Sequence, residues 1–322
     1  MKRFVLGFSL LLAGCALNSK VLLSPAVRQQ ITPQAEITAT PFIQQADFQC
    51  GPASLAMVLN LYGMTVTPEH LAAQAFTPKA EGSFPVELDM AARRQGFISY
   101  PINSIDALLQ EVNAGHPVLI LQNLGVSWYP QWHFAVVIGY DLEQQLLILR
   151  SGDQPRRQTP LRLFDTTWQR SERWGRVVLP PQILPVTAQP LNYVQAITRL
   201  ESAKQLTAAQ QAYRTAVNHW PEAPLARFGL ANALLQNAQP QAAITEYSRL
   251  LQQQPALAEA WNNYAYALQA YHCLQAARRA VQCALQLEPD NIVFKDTATE
   301  LEHANPPTHG NCPVLHCTQP SL

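Results

Sequence analysis

Neither sign of charge is in excess in this chain: 22 Lys and Arg stand against 22 Asp and Glu over 322 residues. That balance gives a phosphate backbone nothing to be drawn to, and no basic stripe is present, so a nucleic-acid partner is excluded. A glycine-rich phosphate loop is missing too, which removes the basis for a nucleotide role. No cofactor is implied. The apolar run from Phe4 to Leu12 is too short to span a bilayer as a permanent helix, and no further span follows. CxxC pairs, a strong mark of a zinc site, are also absent.

What is present starts with a hydrophobic content of 48%, enough for packed cores, and a length that suits two domains. The most telling stretch is Gln44-Gln45-Ala46-Asp47-Phe48-Gln49-Cys50-Gly51-Pro52-Ala53-Ser54. From Ser54 to Tyr62 the chain is rich in Leu, Ala, Met and Val without glycine or proline, and Pro52 suits a first helical turn. Cys50 therefore falls at a helix N-terminus, where free N–H groups and the helix dipole favour thiolate. Gly51 is expected to let a substrate backbone approach. Gln44, six residues before Cys50, is placed to donate its amide to an oxyanion.

A lone cysteine of this kind is usually a buried small hydrophobe, and a second signal is needed. It comes from Trp132-His133-Phe134-Ala135-Val136-Val137-Ile138-Gly139-Tyr140-Asp141, a β-branched and aromatic run in which His133 opens a buried strand. A cysteine at a helix start and a histidine at a strand start is the layout of a thiol protease dyad. On these residues, 42 to 180 resemble the bacteriocin-processing C39 peptidases and their C39-like relatives, which share the papain-like fold. The resemblance implies Cys50 as nucleophile, His133 as general base and acid, and Gln44 as oxyanion donor. The family orients its histidine with Asp or Asn at the end of the next strand, here Gln145 to Asp153, where Ser151 stands at the expected place. Asp153 lies two residues on, past Gly152, and the third group stays open between the two. Asp141 reads as a turn cap.

At the other end of the chain Lys2-Arg3, the apolar Phe4 to Leu12 and the small-residue close Leu12-Ala13-Gly14-Cys15 read as a secretion signal. The segment resembles a bacterial lipoprotein lipobox, which implies lipidation of Cys15, a membrane partner through that anchor, and a place on the periplasmic face of the outer membrane of a Gram-negative cell. Residues 16–40, polar and carrying Pro25 and Pro33, read as a tether.

With Cys15 acylated and Cys50 free, Cys273, Cys283, Cys312 and Cys317 remain, an even number in a compartment that permits disulfides. Three pairings are open. A metal site from His309, Cys312, His316 and Cys317 is weaker than a flexible tail over 292–322, and no metal is expected.

Beyond Pro180-Pro181 the composition turns to alanine, glutamine and leucine at helical spacing, with a linker over 182–189. Pro221, Pro255 and Pro289 recur every 34 residues, the tetratricopeptide period. Three repeats over 190–291 resemble tetratricopeptide units, although Arg227 stands where an aromatic is wanted, and Asn232, Asn262, Asn263 and Tyr266 are candidates for lining a concave groove.

The fold expected is therefore an α+β papain-like cysteine peptidase domain over 41–181 followed by an all-α tetratricopeptide solenoid. The function expected is a lipid-anchored periplasmic cysteine peptidase acting on a peptide or protein substrate, with a protein partner at the repeat groove. The alternatives are a non-catalytic peptide-binding adaptor, and a transferase or amidase using the same thiol.

Overall fold

The computed structural model describes residues 23–46, 48–75, 83–304 and 311–317. Cys15 and His309 lie outside them. In chain order the first half comprises α1 (Pro25–Gln30), β1 (Gln34–Glu36), α2 (Cys50–Leu61), α3 (Pro68–Ala75), α4 (Pro85–Arg94), β2 (Ile98–Ile102), α5 (Ile105–Asn113), β3 (Val118–Asn123), β4 (Trp132–Asp141), β5 (Leu146–Ser151), β6 (Gln154–Pro160), α6 (Leu161–Gln169) and β7 (Gly175–Leu179).

The strands form one antiparallel sheet in the order β2-β7-β3-β4-β5-β6. Both faces of the central strands β3 and β4 are apolar, because hydrophobic residues occupy both sides of the period-2 alternation, whereas edge strand β6 is polar and exposed. Leu119, Leu121, Phe134, Val136 and Ile138 point to a core shared with α2, α3 and α4. Val118, Ile120, Ala135 and Val137 point to a second core that continues into the helical half of the chain. β3 pairs with β4 from Trp132 to Val137, and β1 takes over the same edge from Gly139 to Asp141. Gly139 is required there: a Cβ would come within 2.7 Å of the Ala35 carbonyl oxygen.

The expected tether is thus folded over much of its length. Val27 and Ile31 are buried, Asp106 accepts from the Ser24 N–H, and Glu36 pairs with Arg156 at 2.9 Å. Pro25 sits in the first turn of α1, where its missing N–H costs nothing, so the proline that suggested a linker starts a helix instead.

The second half is helical: α7 (Pro190–Ser202), α8 (Leu206–His219), α9 (Pro224–Gln236), α10 (Pro240–Gln253), α11 (Ala258–Ala270), α12 (Leu274–Leu287) and α13 (Ile292–His303). The starts Pro190, Pro224 and Ala258 are 34 residues apart, as are Leu206, Pro240 and Leu274. Each helix packs on its neighbour in the chain. Arg227 fills its aromatic-type position by the same bond that the aromatic makes one period later. Its Nη2 donates to the Pro221 carbonyl at 2.9 Å, as Trp261 Nε1 donates to that of Pro255 at 2.9 Å, while Nη1 pairs with Glu246 at 2.6 Å.

Two disulfides, Cys273–Cys312 and Cys283–Cys317, fasten residues 311–317 to α12 and the turn before it. This corrects the expectation of a flexible tail and takes Cys312 and Cys317 out of any metal site; His316 is exposed. Among the described residues no cluster of His, Cys, Asp and Glu is suited to a metal, and no helix is long and apolar enough to cross a membrane.

The two halves are joined firmly. Glu111 Oε1 accepts from the Thr187 N–H at 2.7 Å, its Oε2 lies 2.6 Å from His116 Nδ1, and the Gln189 N–H donates to Tyr100 Oη at 3.1 Å. The linker over 182–189 is therefore bonded to α5 and β2.

Candidate active site

α2 begins at Cys50 itself, with residues Gly51 to Leu59 buried against the sheet. The helix is buried on all sides over that stretch, with Ser54 its one polar side chain, and this packing fixes where its first turn ends up. Gly51 faces inward: a Cβ would meet Leu88 at 3.1 Å and Ser83 at 3.2 Å. The glycine thus admits α4 rather than a substrate backbone, contrary to the reading from sequence.

Cys50 and His133 line one cavity of about 910 Å³, together with Gln45, Phe48, Phe84, Trp132, Phe134, Gly152 and the 170–174 loop. Burial pushes the Cys50 thiol above its ordinary value, while the backbone N–H groups of Phe134, Gly51 and Cys50 itself pull it down. Burial, then the nearby positive charge of Arg157, lowers the His133 imidazole from 6.5 to about 4. Near neutral pH the pair is therefore thiol and neutral imidazole, not a thiolate–imidazolium ion pair.

Ser151 closes the third position. It is buried at the end of β5, and its Oγ lies 2.9 Å from His133 Nε2, leaving Nδ1 as the ring nitrogen not taken by that contact. Asp153 does not join the site: Gly152 at φ +62° turns the chain, and Asp153 is exposed in the β5–β6 hairpin. Asp141 caps the preceding turn, accepting from the Glu143 and Gln144 N–H groups at 2.9 Å each.

Gln44 is exposed and does not line the cavity; the amide that reaches it belongs to Gln45. Gln45 Nε2 donates to Ser54 Oγ at 2.9 Å, with the Phe134 and Cys50 carbonyls at 3.3 and 3.4 Å. Its Oε1 accepts from the Gly152 N–H at 2.8 Å, and its own N–H donates to the Gly152 carbonyl at 3.1 Å. One side chain thereby ties α2, β4 and the β5–β6 turn together. Sequence reasoning missed it because two adjacent glutamines are indistinguishable until the backbone direction at 44–46 is known.

In the helical half Asn232 and Asn263 bond to each other at 3.0 Å, and Tyr266 to Thr297 at 2.9 Å. Asn262 is buried at 4% exposure, on the face of α11 turned into the core, and does not offer its side chain to solvent.

No curated protein matches this chain. Solved structures similar to it include a protein of Bacillus anthracis described as a C39-like peptidase, 21% identical over 45% of this chain and 97% of that one, with a TM-score of 0.40. The peptidase domain of Streptococcus ComA is 22% identical over 44% of this chain and 98% of its own, with a TM-score of 0.37. The first TPR domain of human RPAP3 is 16% identical over 35% of this chain and 89% of its own, with a TM-score of 0.34. Residues 37–174, which include every described residue lining the cavity, match the sequence model of the Peptidase_C39 like family.

Proposed function

We propose that the domain is a cysteine peptidase in which Cys50 is the nucleophile, His133 the general base and acid, and Ser151 the group that positions the imidazole. The observation that carries this is the convergence of Cys50, at the start of α2, and His133, near the start of β4, on one cavity, with His133 Nε2 engaged by Ser151. His133 Nδ1 takes the thiol proton as sulfur attacks the peptide carbonyl carbon. The C–N bond then breaks and the imidazolium returns the proton to the leaving amine. Water, deprotonated by the same nitrogen, hydrolyses the thioester. The oxyanion is held by the Cys50 N–H and by Gln45 Nε2, which can exchange one of its two long carbonyl contacts for it.

In this reading the helix pairs are tetratricopeptide repeats that hold a peptide or protein partner beside the peptidase, supported by their 34-residue recurrence. Cys15 is the lipidated N-terminus, and the enzyme works at the periplasmic face of the outer membrane; the two disulfides suit an oxidising compartment.

Active-site labelling tests the enzyme. A peptidyl electrophile directed at thiols should modify Cys50 quickly in the wild type and slowly in His133→Ala; equal slow labelling of both removes the activity. A second reading, a peptide-binding adaptor, is favoured by one observation, the neutral Ser151 where the histidine would gain most from a carboxylate. Tight binding of peptides without turnover would establish it.

A further inference from the structure

Three large rings stand half in solvent around the cavity that holds Cys50 and His133: Phe48 at 55% exposure, Phe84 at 50% and Trp132 at 54%. Single exposed apolar residues are ordinary on a protein surface; three gathered at one cavity, from the turn before α2, the start of α4 and the start of β4, are a contact surface. Phe48 also has φ +61°, a left-handed backbone that a bulky side chain rarely adopts. It lies two residues before Cys50, in the turn closed by the Gln49 N–H donating to the Ala46 carbonyl at 3.1 Å. Backbone strain spent on carrying an aromatic ring to the mouth of a cavity, beside its nucleophile, points from the outlier to a function for the ring.

The rest of the lining agrees. Leu121 and Phe134 are buried apolar walls of the same cavity. Among the described residues the lining carries two charged side chains, Arg170 and Glu172. Arg170 Nη1 is spent on the Gly125 carbonyl, and Glu172 is exposed. Among the described lining residues, apolar side chains stand on several sides.

We infer that Phe48, Phe84 and Trp132 form a selectivity collar, and that the occupant of this cavity is an extended peptide with a bulky apolar side chain, aromatic or branched aliphatic, beside the bond presented to Cys50. This rests on the peptidase reading for the word bond; the collar's preference for apolar bulk is a separate, measurable property. Peptides with glycine at that place would leave the rings in water and bind weakly.

The test uses the full chain carrying Cys50→Ala and two fluorescein-labelled decapeptides that differ only in a central Phe-Leu or Gly-Gly pair. Fluorescence polarisation should show the Phe-Leu peptide binding at least tenfold more tightly, and Phe48→Ala or Trp132→Ala, both at exposed positions, should erase most of that difference. Equal affinities, no binding of either peptide, or a preference untouched by both substitutions would overturn the inference. Incubating the wild type with the same peptides separates the two readings. Selective binding without cleavage leaves the collar standing and removes the peptidase, whereas cleavage of both peptides at one kcat/KM removes the collar and keeps the peptidase.

Discussion

Ser151 Oγ lies 2.9 Å from His133 Nε2, at the end of the strand next to β4. A hydroxyl can donate or accept, so it orients the ring without selecting its tautomer, and it brings no charge to balance an imidazolium. Burial and the positive charge of Arg157 leave the ring neutral through the physiological range.

One consequence is the pH dependence of Cys50 chemistry. Alkylation of Cys50 by iodoacetamide should climb only above pH 8 and show no reactive plateau at pH 5–7, because the thiol is raised and the imidazole lowered. Ser151→Asp supplies the missing charge and should raise the rate at pH 6.5 by about tenfold or more. Identical pH–rate profiles for the two proteins would show that Ser151 does not govern the histidine.

Acid stability follows from the same ring. Folded His133 titrates near 4 and the free imidazole near 6.5, so below about 6.5 the unfolded chain takes up a proton that the native state refuses. The stabilising contribution is complete above pH 6.5 and is lost as pH falls toward 4, on the order of 3 kcal/mol. Urea unfolding at pH 7 and 4.5 should show a smaller drop for His133→Gln than for the wild type; parallel drops would mean that other groups set the acid limit.

Adjacent glutamines should behave differently. Gln45→Ala removes the brace between α2, β4 and the Gly152 turn and leaves the Gly152 N–H without its acceptor, costing about 1–3 kcal/mol and lowering activity. Gln44→Ala, at an exposed position, should stay within about 0.5 kcal/mol of wild type. Thermal melts of both variants, with turnover where it exists, decide the matter, and the reverse order would restore Gln44 to the site.

The disulfides should act locally. They close segments of 39 and 34 residues, for which chain-entropy arguments give roughly 3–4 kcal/mol each. Replacing both members of the Cys273–Cys312 pair by Ala should raise amide exchange in α12 and α13 while leaving the β-sheet unchanged. Exchange that rises equally across the sheet would show that the helical half and the sheet-containing half unfold as one unit.

Much of the fold is legible in local sequence. The apolar run after Cys50 gives α2 its existence and nearly its start, the β-branched run after Trp132 gives β4, and the proline period gives the spacing of the helix pairs. Residues 24–36 were less readable: α1 and β1 are short, and they gain stability from α5 and from an edge of β4 more than 70 residues away. Pro25 looks the same in a tether and in a first helical turn.

By itself the sequence determined which chemistry is at hand, a thiol at a helix start and an imidazole at a strand start, because helix and strand periodicity are local properties that survive without tertiary context. Only the tertiary structure decided which groups stand beside that pair. That Gln45 rather than Gln44 lines the cavity, and that Ser151 rather than Asp153 contacts His133, turns on single backbone steps, one of them the left-handed Gly152, and the cysteine pairing turns on the direction in which residues 311–317 run along α12. One residue along a strand or loop reverses a side chain's direction, and that direction is fixed by packing between segments far apart in the chain.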